Sequence, residues 1–401
     1  MKSYFKDLKS LKAVIIELFS KFLPLILIPF ITRSFGAEKY TEYVFYESLL
    51  FIFATLYILG QDAAISRSTI LHREENRISV RNQAFFMTVS FGLISTFISL
   101  SLQNYAIALI SLGAIVISLS NMLSMVPIAL KELKNYNLSR ITNQLAAFFL
   151  TIIFVILNIL VIETRLIFIV IGFCISFIFL YPYLKEFSFQ NPFENKLILN
   201  YLIGIGIYLL LHSISNIARL RIDKVFFLDL MPELNAANIA LASFFIFAIA
   251  SFIDSIFKIF LPSIYETFKN QNYKNLLRNI FFLLGIGLLI PIFGLICFLL
   301  PENLYSIIFG DDFYLVGFYI FIMTLPYFLL PIYLYMVNFA IFIKETKQLG
   351  IISLLSSLAW MVFAFGILKI GYAIEFVYIS QALIFLPTIM FFLYKRFKIT
   401  R

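Results

Sequence analysis

The sequence predicts an all-α polytopic membrane protein with about twelve transmembrane helices. The chain has 401 residues, of which 62% are hydrophobic and 13% charged, whereas a soluble domain has roughly 45–50% apolar and about 25% charged residues. Its apolar runs extend over the ~20 residues that a helix needs to cross a bilayer, and they lack the alternation of barrel strands. This composition excludes a soluble enzyme, a disordered protein and a nucleic-acid binder.

The apolar runs divide into twelve candidate spans. In chain order these are 13–32, 43–62, 84–103, 105–129, 141–161, 165–184, 198–218, 236–257, 280–300, 314–338, 349–368 and 372–394. The first follows several lysines, as a signal peptide would. Its apolar run is too long for one and it lacks a small-residue cleavage site, so we interpret it as a retained helix.

The loop charges predict the orientation of the chain. With twelve spans, 22 of the 31 Lys and Arg residues fall on the side of both termini, seven on the opposite side and two within spans. Because cytoplasmic loops carry the excess of Lys and Arg, both termini are expected in the cytoplasm. No connection is long enough for an extracytoplasmic catalytic domain, which argues against a membrane polymerase or glycosyltransferase.

Metal and nucleotide chemistry have no support in the sequence. Cys174 and Cys297 lack metal-ligand neighbours and are expected to be small buried hydrophobic residues. The chain has two histidines and no Gly-Lys-Ser/Thr phosphate loop, so we expect neither a metal site nor ATP hydrolysis.

Ionisable residues inside the spans are candidates for function, because each costs at least ~2.5–3.5 kcal/mol to insert. Glu17 and Lys21 lie four residues apart in the first span, and Asp254 and Lys258 repeat this spacing in the eighth. Each pair either neutralises itself to permit insertion or lines a cavity that contacts substrate or a coupling ion. Glu47 has no local partner, so we expect it to face the protein interior, where a proton- or cation-linked role is open.

The densest polar group lies at the end of the seventh span. It consists of Arg219, Arg221, Asp223 and Lys224, preceded by His212 and Asn216. Snorkelling to the interface would explain Arg221 and Lys224. Three cations on the side that is otherwise poor in positive charge instead favour a water-filled cavity or an anion-binding site.

Prolines predict bends. Pro24 and Pro29 lie in the first span, and Pro326 and Pro331 in the tenth. Each removes a backbone donor, although proline is also simply commoner in membrane helices. The paired arrangement favours helices that flex, so these four residues are candidate hinges.

A resemblance to a known family begins at Pro29. The stretch from Pro29 to Tyr43 (PFITRSFGAEKYTEY) and the later Leu59-Gly60-Gln61-Asp62 leading to Arg67 resemble the opening hairpin of Wzx-type polysaccharide repeat-unit flippases. These belong to the multidrug/oligosaccharidyl-lipid/polysaccharide exporter (MOP) superfamily. Thr41 replaces the usual Gly, which suggests a looser turn. The segment from Asp223 to Leu228, with 236–242, is a weaker match.

The resemblance implies a MATE-like, V-shaped bundle of two six-helix lobes, 1–197 and 198–401, related by a pseudo-twofold axis. It implies a non-enzymatic flippase that moves undecaprenyl-diphosphate-linked oligosaccharide to the periplasmic leaflet of a bacterial inner membrane, for O-antigen of lipopolysaccharide or for capsule. The expected partners are this lipid-linked oligosaccharide, membrane lipid, a polysaccharide polymerase and a chain-length regulator, with no nucleic acid. No cofactor is expected, and coupling to H⁺ or Na⁺ stays open.

The flippase interpretation gives the charged residues roles. Arg219, Arg221, Lys258 and Lys21 are the candidates that face the diphosphate, with Arg33 and Arg67 as gate or interface residues. The candidates for ion coupling or for holding these cations are Glu17, Glu47, Asp62 and Asp254. The main alternative is a cation-coupled drug antiporter of the same superfamily, which would require an acidic cavity.

Overall fold

The described part of the chain consists of helices joined by short turns. In a computed structural model, the described residues are 8–62, 64–65, 69, 74–130, 132–184, 196–260, 264–265, 267–268, 273–371 and 373–400. Within these ranges, ten helices are long and apolar enough to cross a membrane. The predicted all-α polytopic fold class is thereby confirmed.

The first half of the chain contains long helices. They are α1 (Leu8–Ile58), α2 (Glu74–Ser101), α3 (Tyr105–Ala129), α4 (Leu133–Ile156), α5 (Ile162–Leu184) and α6 (Lys196–Ile217). A π-helical turn, Ala218–Ile222, follows α6 directly. Two predicted spans, 13–32 and 43–62, lie largely within α1, and the seventh corresponds to α6.

The second half is more broken. It contains α7 (Asp223–Phe226), α8 (Glu233–Ile259), α9 (Tyr273–Leu299), α10 (Glu302–Phe309), α11 (Val316–Thr324), α12 (Leu330–Phe342), α13 (Thr346–Ile370), α14 (Glu375–Ile379) and α15 (Ala382–Thr400). Short 3₁₀ turns lie at Leu228–Leu230, Asp311–Phe313 and Pro326–Leu329. The tenth predicted span, 314–338, is therefore divided between α11 and α12, and Pro326, which has no N–H to donate, begins the turn that divides it.

Gly36 interrupts α1. Its φ of 70° and ψ of −178° are non-helical, and a positive φ is easily adopted only by glycine. Thr41 itself is helical, and its hydroxyl donates to the Ala37 carbonyl at 2.9 Å; a turn looser than in the resembling family stays a prediction. Pro24 and Pro29 lie inside the helical part before Gly36, and their hinge role stays a prediction, as does that of Pro326 and Pro331.

Two compact units make up the chain. One consists of Met1–Val44 with Ala218–Arg401, and the other of Phe45–Ile217. This division reflects which residues pack together, and it does not test whether the two halves of the chain are internally duplicated. The lobes 1–197 and 198–401 therefore stay a prediction.

Hydroxyl groups join the helices of the unit 45–217. The Tyr57 hydroxyl of α1 lies 2.6 Å from Ser111 Oγ of α3 and donates to Ser95 Oγ of α2 at 2.8 Å. Thr96 also donates to Ser111, at 2.9 Å. Without water as a competitor, such small polar contacts hold apolar helices in register.

Asn238 joins α8 to the turn after α10 in the other unit. This fully buried side chain donates to the Asp312 carbonyl at 2.8 Å and accepts from the Leu315 N–H at 3.0 Å. Arg33 of α1 donates to the Ile307 carbonyl, which lies in the last turn of α10. The part of α1 before residue 45 is thus attached to the C-terminal region.

The outer surface carries large apolar side chains. Phe97, Leu102 and Val362 are each more than 70% exposed, a pattern that water would penalise and lipid tails accept. Cys174 of α5 is also exposed, so the expectation that it is buried is wrong, whereas Cys297 is buried.

Candidate functional site

The site centres on the π-helical turn that ends α6. π-Helical turns are rare and frequent at functional sites. The turn contains Arg219 and Arg221, and α7 begins directly after it with Asp223 and Lys224. Arg219, Asp223 and Lys224 are 6%, 0% and 5% exposed. The charged group predicted from the sequence is therefore largely inside the protein.

Asp223 and Lys224 neutralise each other. The Lys224 ammonium donates to both carboxylate oxygens of Asp223, at 2.8 and 2.9 Å, and to the Leu220 carbonyl at 2.9 Å. Burial lowers the pKa of Lys224, and the attraction of Asp223 opposes that shift. Since one carboxylate is engaged by one ammonium, the pair contributes no net charge.

Aromatic rings surround Arg219. Its guanidinium carbon lies 5.3 Å from the ring centroid of Phe385, 5.7 Å from Tyr333 and 5.9 Å from Tyr327. These distances allow cation–π attraction. Gln381 Nε2 donates to the Arg219 carbonyl at 3.4 Å, as does the Tyr327 hydroxyl at the same distance. Helices α12 and α15 and the turn at 326–329 thus meet at this arginine.

Arg221 lies against helix α8. Its guanidinium carbon is 4.6 Å from the ring centroid of Phe247. Residues 247, 251, 254 and 258 recur every three or four positions, so they share one helix face. Phe247, Ser251 and Asp254 are all partly exposed. We call Arg221 with this face the α8 strip.

The first helix packs beside the α8 strip. Phe22 of α1 and Phe252 of α8 make an edge-to-face contact with centroids 6.3 Å apart. Lys21, the neighbour of Phe22, is partly buried. The structure therefore brings the predicted cations Lys21, Arg219 and Arg221 into one packing unit together with Asp254.

The remaining predicted residues are more scattered. As expected, Glu47 is buried, in the unit 45–217, which also contains the partly buried Asp62. Lys258 and Glu17 occupy helical positions, but their side chains lie outside the described part, and Arg67 lies outside the described residues altogether. The roles given to all of these residues stay predictions.

The aromatic partners of Arg219 were not foreseen. Tyr327, Tyr333 and Phe385 lie more than one hundred positions away in a chain with 49 Phe and 22 Tyr residues, so no local spacing marks them. The one available signal was Gln381, a polar residue inside an apolar span.

No family model matches the chain. It is 25% identical over 355 residues to an uncharacterized membrane protein of Haemophilus influenzae, a match that covers 86% of both chains. It is also 25% identical over 363 residues to protein 1 of the Lsg locus of the same organism, covering 89% of both chains.

Solved structures share the fold. A multidrug resistance MATE family transporter of the MOP superfamily matches in its inward-facing conformation with a TM-score of 0.71 and 15% identity, over 96% of this chain and 98% of that one. Its outward-facing conformation also matches with a TM-score of 0.71 and 15% identity, over 98% and 95%. The bent form of the Vibrio cholerae MATE transporter VcmN matches at 0.67 and 15% identity, over 98% and 96%. The chain therefore has the MATE-like fold of the MOP superfamily.

Proposed function

We propose that the chain is a MOP-superfamily transporter that flips an undecaprenyl-diphosphate-linked oligosaccharide across the bacterial inner membrane. The observation that carries the proposal is the α8 strip, where Arg221 and Asp254 lie on a partly exposed surface of otherwise apolar helices. Charges at such positions are costly unless they contact protein, water or cargo.

The chemistry of the strip suits a diphosphate. An anionic sugar-diphosphate head cannot enter hydrocarbon without polar partners, because every unpaired charge or hydroxyl costs free energy. A guanidinium donates two parallel hydrogen bonds to phosphate oxygens and never loses its charge. The contact with Phe247 holds the Arg221 guanidinium against α8, which reduces the entropy lost on binding.

Two further findings support a transport function. The structural neighbours are transporters of the MOP superfamily, and one sequence relative is named for the Lsg locus. The opening stretch from Pro29 to Tyr43 resembles flippases of this superfamily, which favours a lipid-linked sugar as cargo. The type of polymer and the coupling ion are further parts of the proposal that need measurement.

The test is Arg221→Ala in a host whose surface polysaccharide depends on this chain. We expect surface polysaccharide to fall by about tenfold or more, because a lost charge-assisted contact is worth ~1.5–3 kcal/mol. Lipid-linked repeat units are expected to accumulate at the same time. Gel analysis of the polysaccharide and mass spectrometry of the lipid extract measure the two effects.

Lys369→Ala is the matched control, since Lys369 also places a cation over one ring, Phe365 at 5.4 Å, at the end of α13. It is expected to leave both quantities unchanged. Normal polysaccharide in Arg221→Ala at normal protein level would contradict the proposal. Drug efflux that depends on the buried Glu47 would instead favour the antiporter alternative.

A further inference from the structure

We infer that the unit formed by residues 1–44 and 218–401 binds a small inorganic anion of the halide class at the Arg219 guanidinium. This site is separate from the α8 strip and from the proposed cargo. It rests on the charge balance of the buried cluster, on unused hydrogen-bond donors and on the enclosure of the arginine.

The buried cluster of Arg219, Asp223 and Lys224 contains one positive charge that no described carboxylate neutralises. Asp223 is engaged by Lys224 through both of its oxygens. Among the described residues, no carboxylate lies within ion-pair distance of the Arg219 guanidinium. Arg219, Asp223 and Lys224 together therefore carry a charge of +1 inside the protein.

An uncompensated buried charge is unfavourable. Removing a guanidinium from water is costly, and the face of a neutral ring attracts the cation without cancelling its charge as a carboxylate would. The three rings around Arg219 offset part of this cost. A bound counter-ion would offset the rest.

Unused donors give the counter-ion its ligands. Arg219 Nε and Nη1 are buried and donate to no described acceptor, although a buried donor is normally paired. A halide accepts from N–H donors, so these two groups of the Arg219 guanidinium are suitable ligands for one ion.

Enclosure selects a small ion over a headgroup. Arg219 is only 6% exposed, and its carbonyl is tied to Tyr327 and Gln381. A sugar-diphosphate would have to displace the rings to reach the guanidinium. A halide is a single spherical ion, so it requires less displacement of these rings than a sugar-diphosphate does.

The test is thermal unfolding of the purified full chain in detergent. Chloride or bromide is titrated against gluconate at constant pH and ionic strength. Because a ligand of the folded state stabilises it by mass action, we expect a saturable rise of the midpoint, on the order of 5 °C at one hundred times Kd. Arg219→Gln is expected to abolish the rise.

Arg165→Gln is the matched control. Arg165 is equally buried at 6% exposure and also has a buried Nε without a described acceptor, but it lies in the unit 45–217, and its Nη1 donates to Thr151 Oγ1 at 3.2 Å. This variant is expected to keep the halide response, and so is Arg221→Ala. A failure of the flippase proposal therefore leaves the halide result standing, and the reverse also holds.

A second variant covers the case in which Arg219→Gln does not fold. Arg219→Lys keeps the charge and removes the unused Nε and Nη1 donors, so we expect it to weaken halide affinity by about tenfold. Unchanged affinity in Arg219→Lys, or a midpoint that responds equally to gluconate, would overturn the inference. Stabilisation through Arg219 by inorganic diphosphate but not by halide would also overturn it and would assign Arg219 to the cargo.

Discussion

At the scale of single residues, the buried charged side chains have different kinds of partner. Lys224 is paired with its sequence neighbour Asp223, Arg219 is surrounded by rings and Arg165 donates to a hydroxyl. The sequence marks such residues because charges are rare in apolar spans. It does not mark their partners, since the rings at 327, 333 and 385 become neighbours of Arg219 only through the fold.

The Asp223–Lys224 pair provides a stability prediction. Breaking a buried pair leaves an uncompensated charge and costs about 3–5 kcal/mol, whereas removing both charges is often neutral. We therefore expect Asp223→Asn and Lys224→Met each to lower the unfolding midpoint strongly. The double variant is expected to recover most of that loss in a thermal melt. Equal loss in the double variant and the single variants would contradict the prediction.

The same pair gives a pH dependence with a definite sign. Burial lowers the pKa of Lys224, and Asp223 opposes this, so Asp223→Asn lowers the pKa further. The unfolded chain then binds more protons than the folded chain at any pH between the two pKa values, and stability rises with pH across that window. Melting of Asp223→Asn at increasing pH is expected to show this rise.

At the scale of helices, hydropathy located the apolar segments but not the full helices. The predicted span 105–129 coincides with α3, whereas 141–161 corresponds to a helix that starts at Leu133. Lys134 and Asn135 at its start are polar, so a hydropathy window excludes them although the helix continues through them. Breaks such as the one at Pro326 depend on backbone geometry, which the apolar pattern does not record.

The break at Gly36 can be tested by a matched pair of glycines. Gly36 has a φ of +70°, while Gly366 lies inside α13, and a Cβ at either position would meet no atom within 4 Å. Gly36→Ala is expected to destabilise by about 1–3 kcal/mol because of backbone strain. Gly366→Ala is expected to stabilise by about 0.5–1 kcal/mol through helix propensity. Similar melting midpoints for the two variants would show that residue 36 is not strained.

At the scale of the whole molecule, the composition predicts a protein that lies in a lipid bilayer. The fold that the chain shares with MATE transporters is consistent with this prediction. The loop charges add a prediction about orientation. With 22 of 31 cations on the side of the termini, we expect both termini in the cytoplasm. A C-terminal reporter that is active only in the periplasm is expected to be silent, and an active one would refute this topology.

The composition of one packing unit has a consequence for biosynthesis. Residues 1–44 leave the ribosome well before their packing partners, which begin at Ala218. Contacts such as Arg33 with the Ile307 carbonyl and Tyr40 with Phe313 can form only after most of the chain has been translated. At bacterial rates of about 5–20 residues per second, the first helix waits in the membrane for many seconds. The segment 45–217 can meanwhile complete its own packing, so residues 1–44 reach their final contacts later than a segment that is synthesised after them.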